Sequence, residues 1–201
     1  MGNRDALLEA AIECLHDRGY ARTTARDLVA RSGTSLGAIG YHFGSKEKLL
    51  NEAIHTAFHE WVDPLIAIAS EPGEASPLER LREGFGVLLD SLEEHRGVVV
   101  SLFEAIAAAE RSDDLREQLA ACYDELRDAI GAVISSAVGL PDGDDGGMPT
   151  LMASVLVAVF DGMLVQWLLD PERTPTGEEL DRALDDALAT VAVAAQARSA
   201  A

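Results

Sequence analysis

Thr34, Ser35, Tyr41 and His42 crowd into one short stretch, TARDLVARSGTSLGAIGYHF at 24–43. Hydroxyl, phenol and imidazole groups donate to phosphate oxygens and to base edges. Gly37 among them lets a backbone approach closely. Further on, His55 and His59 stand at i and i+4 with Glu60 beside them. That spacing suits zinc, but the sequence offers no evident third ligand. Trp61 and Pro64 nearby speak for a packed helix, so no metal is assigned. No nucleophile elbow, phosphate loop or cysteine–histidine signature occurs. No cofactor and no reaction follow, and the chain is not read as an enzyme. Asp161 is embedded in the apolar run LMASVLVAVFDGMLVQWLL at 151–169. A carboxylate there costs free energy unless it is paired or used. A cationic ligand, an arginine such as Arg127, or a group across a dimer axis would serve.

The charge balance at first argues against nucleic acid. The 201 residues carry 16 Lys+Arg against 35 Asp+Glu, a net charge of −19. Residues 1–50, however, hold seven basic and six acidic residues, whereas 51–201 hold nine and 29. A near-neutral head of +1 precedes a body of −20, and such asymmetry points to two tasks. Cys14 and Cys122 are too few and too far apart for a disulfide framework. The N-terminus is charged at once, without the apolar stretch of a signal peptide. The most apolar run, 151–160, ends at Asp161 and is too short to span a bilayer. A cytoplasmic protein without membrane contact is expected.

The elements that must position these residues are helical throughout. Leu7, Leu8, Ala11, Ile12 and Leu15 recur at helix spacing up to Gly19. Thr24 caps a short helix, SGTS turns, and a second short helix runs to Phe43. Ser45 opens a longer helix without the acidic partner of a full capping box, and Pro64 is expected to kink or end it. Further helices fit 78–94, a segment bracketed by Gly97 and Arg111–Asp113, Asp113 to Val138, 150–169 and 177–197. EPGEASP (71–77), PDGDDGGMP (141–149) and DPERTPT connect them. No alternating strand pattern appears, so the fold class is all-α.

Residues 24–43 meet the demands of a helix-turn-helix. Leu28 and Val29 face inward, Gly33 sits where the turn wants a positive φ, and Ile39 packs the second helix on the first. Thr34, Ser35, Leu36, Gly37, Tyr41 and His42 then point outward.

The wider stretch resembles the N-terminal domain of the TetR family of transcriptional regulators. GYARTTARDLVARSGTS, the YHF triplet at 41–43 and GSKEKLL at 44–50 carry the resemblance over residues 5–55. It implies a three-helix DNA-binding domain at 1–48 and a helical ligand-binding and dimerisation domain at 49–201. The expected partners are a double-stranded DNA operator, a small-molecule effector and a second copy of the chain. Thr24 and Lys46 match phosphate-gripping positions of the family, and Tyr41 and His42 match the end of its recognition helix. Phe43 matches a core anchor. Gly40 departs from the pattern, standing where the family usually has a tyrosine.

Aromatic residues of the body suit an apolar ligand: Trp61, Phe85, Phe103, Tyr123 and Phe160, with Asp161, and with Cys122, Trp167 and His95 as further candidates. Ordinary core is the alternative for each. The 150–169 helix is apolar nearly all round and needs burial on two sides. The resemblance implies a four-helix dimer interface, expected at Leu156, Met163, Leu164, Trp167, Leu180, Leu184 and Leu188. Asp161 and Gln166 argue against membrane insertion. The reading is a ligand-responsive repressor. The alternatives are a helical ligand-binding or protein-interaction module without DNA binding, and a metal-dependent helical enzyme using His55, His59 and Glu60.

Overall fold

The computed structural model describes residues 2–70, 75–139, 147–183, 185, 186 and 190. Among these there is no strand, and the chain forms helices α1 (Asn3–Arg18), α2 (Ala25–Ser32), α3 (Leu36–Phe43), α4 (Lys46–Ser70), α5 (Pro77–Asp90), α6 (Arg96–Ala109), α7 (Asp113–Val138) and α8 (Met148–Leu169). Residues 177–183 are again helical.

Helices α1 to α3 and the first turns of α4 make the head. Leu7, Leu15, Leu28, Leu49 and Leu50 are fully buried there, closed by Ile39 and Phe43. Local chemistry starts and stops each short helix. Thr24 Oγ1 accepts from Asp27 N at 3.3 Å, and Thr24 N donates back to Asp27 Oδ2 at 2.9 Å, a complete capping box. Gly33 ends α2 in the left-handed region at φ 66°, as its place in the turn requires. Lys48 N donates to Ser45 Oγ at 3.1 Å, the half box that the sequence allows.

α4 joins head to body without a break. Its 25 residues span about 37 Å. The proline expected to kink or end it lies inside it, and α4 runs on to Ser70. The missing donor and the ring clash cost about 3 kcal/mol locally. Burial of Trp61, Val62 and Ala69 on both sides of Pro64 outweighs that. A boundary at residue 48 therefore falls in the first turn of a continuous helix. α5 and α7 pack on α4, and α8 packs on α7 and reaches Trp61 of α4 through Phe160. α8 is longer than the run to Asp161 implied: its 22 residues are long and apolar enough, by length and composition, to cross a membrane. One face of it is instead buried against α7, through Ala153, Val157, Phe160 and Leu164.

The second joint between head and body is α6 lying across the end of α1. A β-carbon on Gly97 would stand 2.3 Å from the His16 carbonyl oxygen and 2.4 Å from its Cα. Only glycine permits that crossing. Ser101 Oγ donates to Leu15 O at 3.0 Å, and Ala21 N donates to Glu104 Oε2 at 2.9 Å. Gln118 of α7 adds a bond from Nε2 to Asn51 O on α4 at 3.0 Å. Because the obstacle at Gly97 is backbone rather than a side chain, Gly97→Ala is expected to destabilise the protein by about 1–3 kcal/mol. Urea unfolding checks this; a midpoint unchanged from the parent would show that the crossing has slack.

Candidate nucleic-acid interface and ligand cleft

The outer face of α3 does no packing work. Leu36 and Tyr41 are 56% and 85% exposed, although both are large and apolar enough to be buried. The Ser35 hydroxyl makes no capping bond to the helix it precedes, so it remains available. Nothing lies within 4 Å of a β-carbon built on Gly40, and only Ser35 Oγ, at 3.8 Å, near one on Gly37. Neither glycine serves the chain's own packing. Each lowers the helix's intrinsic stability by about 1 kcal/mol relative to alanine. His42 is half-buried, edge-on to Tyr41 with ring centroids 4.9 Å apart. Thr34 is half-buried in the turn, its Oγ1 2.8 Å from Ser32 Oγ.

Thr24 and Lys46 flank this helix. Thr24 is exposed, but its hydroxyl is engaged with Asp27 Oδ2 at 2.6 Å. The Thr24 hydrogen bonds, and then Arg18, hold the Asp27 carboxyl below its ordinary value. A negative group thus already occupies the start of α2. Lys46 is half-buried at the start of α4, its Nζ donating to Thr23 O at 3.3 Å and lying 3.5 Å from Glu47 Oε1.

Much of the head's positive charge is spent internally. Arg4 pairs with Glu52, Arg18 with Asp27, and Arg31 with Asp17 and Glu13. Among the described residues, Arg22 and Arg26 have no acidic partner, and both are exposed. The sequence does not separate these five arginines, because pairing across helices leaves no mark in local spacing.

In the body, a narrow apolar cleft of about 40 Å³ opens between α4, α5, α7 and α8. Phe85 and Phe160 meet there at 5.2 Å between ring centroids, with Val62, Leu81, Leu126 and Val157 around them. A neighbouring cleft, of about 80 Å³, continues past Phe85 to Leu156, Val159 and Leu180. Trp61 stands behind the first, stacked on His95 at 5.2 Å, its Nε1 donating to Ser91 Oγ at 2.9 Å. Phe103 packs on the core and lines neither cleft, and the same holds for Tyr123 and Asp161. The aliphatic lining from α4, α5 and α7 escaped sequence reading, since an inward stripe looks the same whether it closes on core or on a cavity.

Asp161 pairs with Tyr123, whose hydroxyl donates to Oδ1 and Oδ2 at 3.2 and 3.1 Å. Arg127, one of the partners considered, binds Asp124 instead, one turn away on its own helix. Burial pushes the Asp161 carboxyl up, and the Tyr123 bond offsets part of that. Burial, then the Asp161 charge, likewise raises the Tyr123 phenol.

Of the expected interface residues, Met163, Leu164 and Trp167 are buried in the chain's own core, Trp167 beneath Arg96 at 5.0 Å. Helix α8 turns these inward against α7, so they are not the face left for a partner. Leu156 and Leu180 are half-buried beside the second cleft. Leu184 and Leu188 lie outside the described residues. Leu151, Val155, Ala158, Val165 and Leu169 are exposed, with half-buried Gly162 among them. Their alternating steps of four and three residues draw one apolar stripe down α8, the seam of a helix pair.

A helix-turn-helix head on a helical body with an apolar cleft defines a DNA-binding regulator, and comparison with known proteins agrees. Residues 7–53 match the model described as bacterial regulatory proteins, tetR family, and residues 77–193 match that of the BetI-type transcriptional repressor C-terminal region. The chain belongs to the TetR family of transcriptional regulators. The regulator TtgR of Pseudomonas putida is 27% identical over 92% of this chain and 89% of its own length. The multidrug binding protein EbrR, solved with imidazole, is 26% identical, with a TM-score of 0.66 over 91% of this chain and 88% of that one. A TetR transcription regulator from Haloarcula marismortui, 20% identical, shares the fold with a TM-score of 0.68 over 92% and 94%.

The Asp161 site yields a stability test. A carboxyl raised on folding costs stability where it is ionised in the folded state, and that cost vanishes as pH falls through its folded value. Asp161→Asn is therefore expected to stabilise the protein at pH 8, with the gain shrinking toward acid. Tyr123→Phe is expected to cost about 1–3 kcal/mol at pH 8, and less in the Asp161→Asn background. Urea melts of the four proteins at two pH values check both.

Proposed function

We propose that the chain is a cytoplasmic repressor that binds a near-palindromic operator as a homodimer and is released by a small apolar molecule. The unused outer face of α3 supports this most directly: an exposed leucine and tyrosine beside two glycines suit close approach to a DNA groove. Thr34, Ser35, Leu36, Gly37, Tyr41 and His42 face the groove. Lys46 and Thr24 reach phosphate by giving up their contacts to Thr23 O and to Asp27, and Arg22 and Arg26 join them as the free charges nearby. The exposed stripe on α8 pairs with the same stripe of a second copy. Phe85 and Phe160 hold the effector, whose entry shifts α4 and the α6–α1 crossing and so the spacing of the heads. EbrR's description and bound imidazole support a small-molecule site in a relative of this fold. No observation favours a module without DNA binding or an enzyme.

Selecting bound fragments from genomic DNA with the purified protein tests the proposal, which predicts recovery of an inverted repeat; recovery of unrelated fragments would overturn it. On that operator, Lys46→Ala is expected to weaken binding and to flatten the dependence of log affinity on log salt by about one unit per subunit. Altered sequence preference at an unchanged slope would deny it a phosphate role. Val155→Glu, which puts a charge into the α8 stripe, is expected to yield monomers by sedimentation and to weaken operator binding by about 10²–10⁴-fold.

A further inference from the structure

The histidine pair of α4 gains from the fold the third ligand that its own sequence neighbourhood lacks. Cys122 of α7 is buried, and its Sγ lies with one ring nitrogen each of His55 and His59 in a cluster whose atoms are all within 4.8 Å of one another. The two imidazole rings are 4.4 Å apart. Glu125, one turn beyond Cys122, brings Oε2 to 3.3 Å from His59 Nε2. α4 thus contributes His55 and His59, at i and i+4, and α7 contributes Cys122, with Glu125 three residues on beside His59.

His59 is oriented as a ligand would be. Its Nδ1 lies 3.0 Å from Asp63 Oδ1, on the same helix. A carboxylate holding one ring nitrogen as donor leaves the other nitrogen's lone pair free, the usual support of a metal-bound histidine. That other nitrogen, Nε2, is buried and has no aligned hydrogen-bond partner. In that tautomer the Nε2 lone pair faces the Glu125 carboxylate, and a cation between them relieves the repulsion. A cleft lined by Phe58, His59, Asp63, Glu125 and Ala129 gives an ion access from solvent.

We propose that His55, His59 and Cys122, completed by Glu125, bind one divalent transition-metal ion of the zinc class. Two imidazoles, one thiolate and one carboxylate suit a tetrahedral borderline-soft ion rather than magnesium or calcium. Cys122 gives up its thiol proton to solvent as the metal–sulfur bond forms. The bound ion ties α4, the helix that enters the head, to α7. The inference stands apart from the DNA-binding reading, since it concerns metal affinity alone.

The full chain, stripped with chelator, is titrated with Co²⁺ and then with Zn²⁺. The expected result is one Co²⁺ per chain with a near-ultraviolet thiolate-to-cobalt charge-transfer band, which Zn²⁺ abolishes by displacement. Cys122→Ser is expected to remove the band, and His59→Ala to weaken binding by at least about tenfold. Because Cys122 is buried, the half-buried His55→Ala serves as a second variant, with circular dichroism confirming that each is folded. No stoichiometric binding, or binding without the band that survives Cys122→Ser, would overturn the site and assign the metal to the acidic surface.

Discussion

Backbone meeting backbone at Gly97 and His16 fixes how the head sits on the body. Side chains in a packed joint can repack, but two helices in main-chain contact can only move together or separate. α4 supplies the other attachment, a single helix with its first turns in the head core and its last beside Phe85 and Phe160. Two attachments of this kind make a lever. On the proposed reading, a change in the cleft that moves α4 against α6 turns the head. The bonds from Ser101 to Leu15 and from Ala21 to Glu104 hold the same joint from both sides.

Charge explains why this geometry matters to function. The head has almost no net charge, and three of its arginines are held by acids. The body carries nearly all of the negative excess. Such a molecule gains little from general attraction to phosphate. On the proposed reading, operator affinity then comes from two correctly placed heads, and a small change in their separation carries a large penalty. Economy of positive charge and rigidity of the lever are complementary: the first makes binding sensitive to spacing, the second delivers the spacing.

Periodicity and capping chemistry made most of the fold legible. The helix-turn-helix followed from Thr24, Gly33 and Ile39, and α7 is found at the residues the sequence implied. What failed was whatever depends on contact between distant helices. Pro64 is expected to kink or end α4 because its cost is local; the helix does not end there, since the burial that offsets that cost is not local. Met163, Leu164 and Trp167 looked like interface because an all-apolar helix does not say which face meets its own chain. Asp161 showed in the sequence as an anomaly, but its partner Tyr123 is 38 residues away. Cys122 likewise lies far from the histidines it joins. Those pairings are consequences of the α4–α7–α8 packing and become visible only once it is built.

Equilibrium binding of the full chain to a complete operator and to a single half-site, at one physiological salt concentration, tests the dependence on paired heads most directly. The account predicts that the half-site is bound at least about 100-fold more weakly and random duplex more weakly still. Comparable affinity for the half-site and the complete operator would contradict it.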